Sequence, residues 1–250
     1  YRIAHTVPCA NPWVVETAHL ETFLAGNGWQ RETIRSHRTA LRSFYRWAIQ
    51  RGYLTVDPTL DLPRVKAAVP RVHAASETVV QQAFSDAADD ERLALWLDLA
   101  ANHGLRRGEI ARVHSDHVSV DADGPWLEVQ GKGDKARTIP LSPDAFRMLA
   151  ARPAGYAFPG QYGRGKYGAK DGHISPYWVG RCIRAALDRE ATTHQLRHRF
   201  ARQAYVNSGH DLETVRTLLG HASLVTTQTY VQEAKSTRAR AVMMSAQVKR

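Results

Sequence analysis

The sequence predicts a mainly α-helical protein with one small antiparallel β-sheet, organised as a helical domain followed by a mixed α+β domain. Three observations lead to this prediction. Apolar residues recur at helical spacing on both sides of residues 62–75. That stretch is basic and contains prolines, which favours a linker. Between His117 and Leu141 the period becomes two, and short apolar runs alternate with glycine-containing turns.

The composition favours a polyanionic partner. The 250 residues carry a formal net charge of +10, and a chain this basic gains binding free energy by releasing counterions from a polyanion. No segment approaches the roughly 20 apolar residues of a membrane span, and no lipidation motif is present, so nucleic acid is favoured over a membrane surface.

Cys9 and Cys182 do not suggest a disulfide scaffold. A reducing cytoplasm fits.

Residues 1–61 are predicted to form the helical domain. Its clearest helix runs from Glu32 to Gln50, where apolar residues recur at helical spacing. The opposite side carries five arginines three or four residues apart, which repel one another. We interpret this side as a face for DNA phosphates, and a merely solvated face is the alternative. The five are Arg31, Arg35, Arg38, Arg42 and Arg46.

The linker, residues 62–75, is predicted to be extended, because prolines stiffen it and oppose helix formation. Three basic residues in it are further candidates for DNA contact: Arg64, Lys66 and Arg71.

The second domain, residues 76–230, begins with Ser76 as a helix N-cap. A helix from Arg92 to His103 is predicted to end at Gly104, and the next helix to cover residues 105–113. Three strands then form an antiparallel sheet between residues 118 and 141. Further helices are predicted from Pro176 to Leu187 and from Asp211 to Leu219.

Six residues of this domain predict a phosphoryl-transfer site. Breaking a phosphodiester without a metal needs a nucleophile and several fixed donors around the phosphate oxygens. Arginine, histidine and tyrosine side chains suit that task. Taken singly, the lysine is typical of an exposed turn and the tyrosine of a partly buried aromatic. The six are Arg106, Lys132, His194, Arg197, His221 and Tyr230.

Two other patterns imitate ligand sites. His194 and His198 have the spacing of a zinc-binding helix, but Gln195 replaces the general-base glutamate and no third ligand is evident. Residues 160–166 imitate a phosphate-binding loop, but Tyr167 replaces the Ser or Thr that would hold magnesium. We therefore predict no metal and no cofactor.

Taken together, four ordered motifs resemble those of the tyrosine recombinases, the phage integrase family. They are GLRRGEI at 104–110, GKGDKARTIPL at 131–141, HQLRHRF at 194–200 and LLGHASLVTTQTY at 218–230. The first sixty residues resemble the helical core-binding domain of that family. The sequence departs from the family at Gln195, where an acidic residue is usual, and at His103, where a small hydroxyl residue is common.

The resemblance implies a mechanism that needs neither ATP nor metal. Tyr230 would attack the scissile phosphate and form a 3′-phosphotyrosine bond. Arg106 and Arg197 would stabilise the charge on the non-bridging oxygens. Lys132 would protonate the departing 5′ oxygen, His194 would assist proton transfer at the tyrosine, and His221 would donate a hydrogen bond to the phosphate.

The resemblance also implies partners and a setting. We expect double-stranded attachment sites, a homotetramer that passes through a Holliday junction, and accessory DNA-bending or directionality proteins. The expected role is integration or excision of a phage or mobile element in the bacterial cytoplasm and nucleoid. The tail, residues 231–250, would dock on a neighbouring protomer, with a frayed terminus as the alternative. The chain is either a simple two-domain type or lacks an N-terminal domain. A type IB topoisomerase and a catalytically silent DNA-binding regulator are the alternative functions.

Overall fold

The computed structural model describes residues 11–66, 74–131, 136–161 and 167–221. The chain divides into two compact units, Tyr1–Pro70 and Arg71–Arg250. The boundary between them falls inside the predicted linker. Three predicted site residues, Arg71, Lys132 and Tyr230, lie outside the described residues, as does the predicted docking tail.

The first unit is helical, as the sequence predicts. A short 3-10 turn at Pro12–Val14 precedes α1 (Thr17–Ala25) and α2 (Arg31–Gln50). The apolar side of α2 buries Leu41, Tyr45 and Ala48, and Leu41 and Tyr45 pack in one core with Leu20 and Phe23 of α1. The helix therefore forms where the apolar period predicts it, and its arginines are left on the other side.

The second unit combines helices with a three-stranded sheet. The three strands are antiparallel and adjacent in chain order, with Val118 opposite Leu127 and Leu127 opposite Ile139. Leu127 and Ile139 are buried in the main core of this unit. The elements are α3 (Glu77–Asp86), α4 (Glu91–Ala101), α5 (Arg107–Ala111), β1 (Val118–Asp121), β2 (Gly124–Gln130), β3 (Ala136–Pro140), α6 (Pro143–Ala150), α7 (Pro176–Ala186), α8 (Thr193–Asn207) and α9 (Leu212–Leu219).

Side-chain and glycine caps begin and end several of these helices, and the sequence predicts the one at Ser76. Ser76 Oγ accepts a hydrogen bond from the Val79 amide at the start of α3, and the Asp211 carboxylate accepts one from the Glu213 amide at the start of α9. Gly220 ends α9 with a left-handed φ of 61°, which costs glycine little. These caps depend on neighbours in sequence, so the sequence is enough to locate them.

The end of α4 differs from the prediction. The helix ends at Ala101 and is capped by Asn102, so Gly104 is not its cap. Instead the chain folds back, and the Leu105 amide donates to the Leu99 carbonyl at 2.9 Å. Gly104 has a φ of +68°, and a Cβ at this position would lie 2.3 Å from the Phe200 ring. Glycine is therefore needed here for both backbone conformation and space.

His103, one of the departures from the family pattern, is buried in this turn. Its Nε2 accepts a hydrogen bond from the Ser142 backbone amide at 3.0 Å. This contact ties the end of α4 to the start of α6 and gives the buried imidazole a partner.

Helix α5 is shorter than the predicted 105–113, because Arg106 has an extended backbone and serves as its N-cap. Separately, none of the helices in the described ranges is both long enough and apolar enough to cross a bilayer.

Candidate active site

Arg106 occupies the turn between α4 and α5. Its backbone amide donates to Glu109 Oε2 at 2.8 Å, and its Nη1 donates to Glu109 Oε1 at 2.7 Å. A side chain three residues into a helix that accepts from the N-cap amide is half of a capping box. The Arg106 side chain is 43% exposed, so Glu109 orients a guanidinium that solvent or a ligand can still reach.

Glu109 is a site residue that the sequence reasoning missed. Its side chain is 5% exposed and forms a two-pronged pair with Arg137, in which Nη1 meets Oε1 at 3.0 Å and Nη2 meets Oε2 at 2.9 Å. Burial by itself would raise the pKa of Glu109. The hydrogen bonds and positive charge of Arg137, with those of Arg106 and Arg197, outweigh burial and lower the pKa to about 2. The carboxylate is therefore ionised at neutral pH.

Arg137 is likewise absent from the predicted site residues, and both Glu109 and Arg137 carry a signal in the sequence. Glu109 stands three residues after Arg106, the spacing of a capping box. Arg137 stands two residues before the buried Ile139 on β3, and alternate residues of a strand lie on one face. An arginine on the inward face of a strand needs a buried partner.

Arg197 lies at the centre of the site and is almost fully buried, with 1% of its side chain exposed. From α8, its Nη1 donates to the Gly104 carbonyl and its Nη2 to the Leu219 carbonyl. Its Nη1 is also 3.7 Å from Glu109 Oε2. One guanidinium thus joins the turn after α4, the end of α9 and the buried carboxylate.

His221 follows the left-handed Gly220 and is buried, with its Nε2 3.2 Å from Arg197 Nη2. A guanidinium can only donate, so Nε2 accepts this hydrogen bond and the proton of the neutral ring is on Nδ1. Burial, and then the positive charges of Arg197, Arg106 and Arg137, lower the pKa of His221 to about 4. The ring is neutral at physiological pH.

His194 and His198 lie on one face of α8 with ring centroids 4.3 Å apart. His194 is exposed, whereas His198 is buried. Partial desolvation of its ring by the surrounding residues, and then the positive charges of Arg197 and Arg106, lower the pKa of His194. Burial, His194 and Arg197 lower the pKa of His198 to about 3. A neutral exposed imidazole can accept a proton. The described ranges hold no group of three His, Cys, Asp or Glu side chains suited to a metal.

A cleft of about 410 Å³ brings Arg106, His194 and Arg197 together. They come from sequence positions far apart, and His221 joins them through Arg197. Within the described part of the chain, the charged side chains that line the cleft are all basic. Such a cleft suits an anion. Its lining is Arg106, Arg107, Gly180, Arg184, Thr192, Thr193, His194 and Arg197.

The candidate DNA-contact residues of the first unit differ in their surroundings. Arg31, Arg35 and Arg46 are exposed on α2, although Arg35 pairs with Glu32 at 2.8 Å. Arg38 and Arg42 are partly buried.

Arg38 also has a structural contact that the sequence did not indicate, since its Nη2 donates to the Leu62 carbonyl at 2.9 Å. Burial and the nearby charges of Arg42 and Arg64 lower the pKa of Arg38, so several cations gather there. Arg64 and Lys66 are exposed.

The sequence profile of the phage integrase family matches residues 69–237. The chain is a tyrosine recombinase of this family. The tyrosine recombinase XerC of Xylella fastidiosa (strain M23) is 31% identical over 232 residues, which cover 86% of this chain and 76% of the relative. The predictions of family and of site-specific recombinase activity are therefore confirmed.

Solved structures confirm the fold of this recombinase. The XerH site-specific recombinase bound to a palindromic difH substrate, in a post-cleavage complex, has a TM-score of 0.71 at 20% identity. That match covers 94% of this chain and 73% of the other. A lambda integrase tetramer bound to a Holliday junction has a TM-score of 0.66 at 20% identity, covering 92% and 68%. At this identity the likeness concerns the fold, which is mainly helical with a small antiparallel sheet as predicted.

Proposed function

We propose that this recombinase cuts and rejoins DNA with Tyr230 as nucleophile and with the basic cleft as the phosphate site. The observation that carries the proposal is the convergence of Arg106, His194 and Arg197 on one cleft, with His221 in contact with Arg197. The motif order Arg, Lys, His-x-x-Arg, His, Tyr supports placing Lys132 and Tyr230 at the same phosphate.

In the first step, the Tyr230 hydroxyl oxygen attacks phosphorus and gives its proton to His194. The lowered pKa of His194 keeps its ring neutral and able to accept that proton. The bond from phosphorus to the 5′ oxygen breaks, and Lys132 protonates the departing oxygen. The 5′ hydroxyl of a partner strand then attacks phosphorus and gives its proton to Lys132, while the phosphotyrosine bond breaks and His194 returns a proton to the Tyr230 oxygen. One phosphodiester replaces another, so the energy of the linkage is conserved.

Arg106 and Arg197 neutralise the charge that develops on the non-bridging oxygens. Preorganised donors in a water-poor site are worth more than the same donors in water, because no reorganisation is needed during the reaction. Glu109 supplies that preorganisation, since it holds Arg106 by two hydrogen bonds and lies 3.7 Å from Arg197. His221 donates a hydrogen bond to the phosphate through its remaining N–H.

The two units have different roles in this proposal. Residues 1–61 are the core-type DNA-binding domain, residues 76–230 the catalytic domain and residues 62–75 a basic connection. DNA contacts come from α2 and the connection. Those on α2 are Arg31, Arg35, Arg38, Arg42 and Arg46, and those on the connection are Arg64, Lys66 and Arg71.

Assembly and setting complete the proposal. The chain acts as a homotetramer on paired double-stranded sites and passes through a Holliday junction, with the tail at 231–250 exchanged between protomers. The lambda integrase tetramer bound to a Holliday junction supports the proposed tetramer and the proposed junction. Integration or excision of a phage or mobile element, assisted by DNA-bending or directionality proteins in the bacterial cytoplasm, is the proposed role.

A pool of nicked duplexes with a randomised core tests the nucleophile. The nick lets the short cleaved strand diffuse away, so the covalent adduct accumulates. We expect a denaturant-resistant adduct with the wild-type protein and none with Tyr230→Phe. Tyr177→Phe, which changes a tyrosine that is 65% exposed, is the matched control and keeps the adduct. Absence of the wild-type adduct, or its persistence in Tyr230→Phe, would overturn the proposal.

The recovered duplex then separates recombination from strand relaxation. Two duplexes carrying it should exchange strands, whereas a supercoiled plasmid without the site should keep its superhelicity. Relaxation of the plasmid without strand exchange would favour a topoisomerase.

A further inference from the structure

Arg137 joins three parts of the second unit that lie far apart in sequence. From β3, its Nε donates to the Leu218 carbonyl in the last turn of α9 at 2.8 Å. Its two terminal nitrogens bind both oxygens of Glu109 on α5. The side chain is 8% exposed, so these hydrogen bonds form largely away from water, where each is worth more than on the surface.

The backbone at the end of α9 packs closely against the Arg137 side chain. A Cβ built on Gly220 would lie 2.8 Å from Arg137 Cδ and 3.2 Å from its Nη1. Gly220 also has a φ of +61°, so the turn requires glycine on two counts. His221 follows directly, and its amide donates to the Arg216 carbonyl at 3.1 Å. The position of the His221 ring therefore depends on how closely α9 approaches Arg137.

Charge balance at Glu109 gives Arg137 a second effect. One carboxylate faces three guanidiniums, those of Arg106, Arg137 and Arg197. A carboxylate offers about four acceptor positions, and the two-pronged contact with Arg137 occupies two of them. The Arg106 backbone amide and its Nη1 bind at the other two. Because a guanidinium has five N–H donors, this arrangement leaves donors of Arg106 for a phosphate.

β3 also follows directly on the link between β2 and β3 that contains Lys132. Arg137 is the second residue of β3, five positions after Lys132 in the sequence. The contact of Arg137 with α5 and α9 thus fixes the start of the strand that leads out of this link.

We propose that Arg137 is a positioning residue for the recombination reaction. By occupying Glu109 and anchoring the end of α9, it directs Arg106, Arg197 and His221 at the scissile phosphate without contacting the phosphate itself. This inference rests on the proposed function of the cleft.

The test compares Arg137→Met, which removes the charge, with Arg137→Lys, which keeps the charge but loses the two-pronged geometry. The substrate is the nicked duplex recovered from the randomised pool, with either a phosphate or a neutral methylphosphonate at the cleavage position. On phosphate we expect Arg137→Met to lower the single-turnover cleavage rate about 10- to 100-fold, since misdirected donors stabilise the developing charge poorly. Duplex affinity should stay within about twofold, because the phosphate contacts that dominate it are unchanged.

On methylphosphonate the defect of Arg137→Met should shrink to about threefold or less, because that linkage lacks the charge that the two arginines neutralise. Arg137→Lys should fall between wild type and Arg137→Met on phosphate. Arg147→Met is the matched control, since Arg147 is 77% exposed and pairs with Asp144, three residues before it, and its rate should equal that of wild type. An equal defect on both linkages, or no defect on phosphate, overturns the proposal.

If no covalent adduct forms, the proposed function has failed, but the positioning role of Arg137 can still be tested by a measurement without DNA. Histidine-selective NMR of the free protein should show the His221 ring signals shifted in Arg137→Met and partly restored in Arg137→Lys. Unchanged His221 signals in Arg137→Met would show that Arg137 does not position this part of the site. If Arg137→Met does not fold, Arg137→Lys supplies both readouts.

Discussion

The substitution Glu109→Gln is the sharpest test of the buried charge network. It keeps the size of the side chain, removes its charge, and places an NH₂ group where a guanidinium now donates. The pKa of Glu109 is lowered from 4.5 to about 2, and at about 1.4 kcal/mol per unit this corresponds to about 3–4 kcal/mol of folding stability at neutral pH. Removing one member of a buried ion pair costs about 3–5 kcal/mol in other proteins. The two values agree, so we expect a loss of about 3–4 kcal/mol.

Urea denaturation at several pH values measures this loss and its origin. Glu109 has a lowered pKa in the folded state, so its stabilisation is present above pH 4.5 and is lost as the pH falls toward 2. The difference in the free energy of unfolding between wild type and Glu109→Gln should therefore have its full value at pH 7 and decrease below pH 4.5. Glu190→Gln, at an exposed position, is the control. A difference in unfolding free energy below about 1 kcal/mol at pH 7, which is the range of an exposed ion pair, would refute the reasoning. A difference that does not change with pH would refute it as well.

Three further predictions address the turn, the histidines and the arginine helix. Gly104→Ala should cost about 2–5 kcal/mol in thermal or urea unfolding, because a left-handed alanine adds strain and its Cβ meets the Phe200 ring at 2.3 Å. Gly209→Ala, with a similar φ and open space around it, should lose only the stability that corresponds to the backbone strain. Equal losses of stability in the two variants would show that the contact with the Phe200 ring does not matter. Stability should fall as the pH drops from 6.5 toward about 4, because burial holds His221 and His198 neutral in the fold while the unfolded chain takes up protons. His198→Asn should flatten this fall, and an unchanged slope in an unfolding titration would contradict the burial argument. Arg42→Ala should reduce the slope of log affinity against log salt for a non-specific duplex by about 0.9, relative to Arg147→Ala, and an unchanged slope would remove α2 from the DNA interface.

Local features of the chain could be predicted because they depend on residues close in sequence. The apolar period places α2 within one residue of its observed start, and Ser76 caps α3 as its hydroxyl predicts. The predicted helix from Asp211 to Leu219 starts one residue before the observed α9 and ends at the same residue. The alternating runs around the glycine turns predict the three-stranded sheet. The ordered motifs predict the family, since their spacing is a property of the sequence alone.

The buried network at the site was decided only by the tertiary structure. Glu109 and Arg137 are 28 residues apart, and Arg197 is 93 residues from the Gly104 carbonyl that it binds. The sequence predicts Arg197 as a phosphate ligand, but it does not indicate that this guanidinium is buried against two backbone carbonyls. α4 ends early for a related reason, because Gly104 must lie against Phe200 of α8. Periodicity and capping report the preferences of neighbouring residues, whereas a buried charge is stable only where the folded chain brings its partners together from far apart.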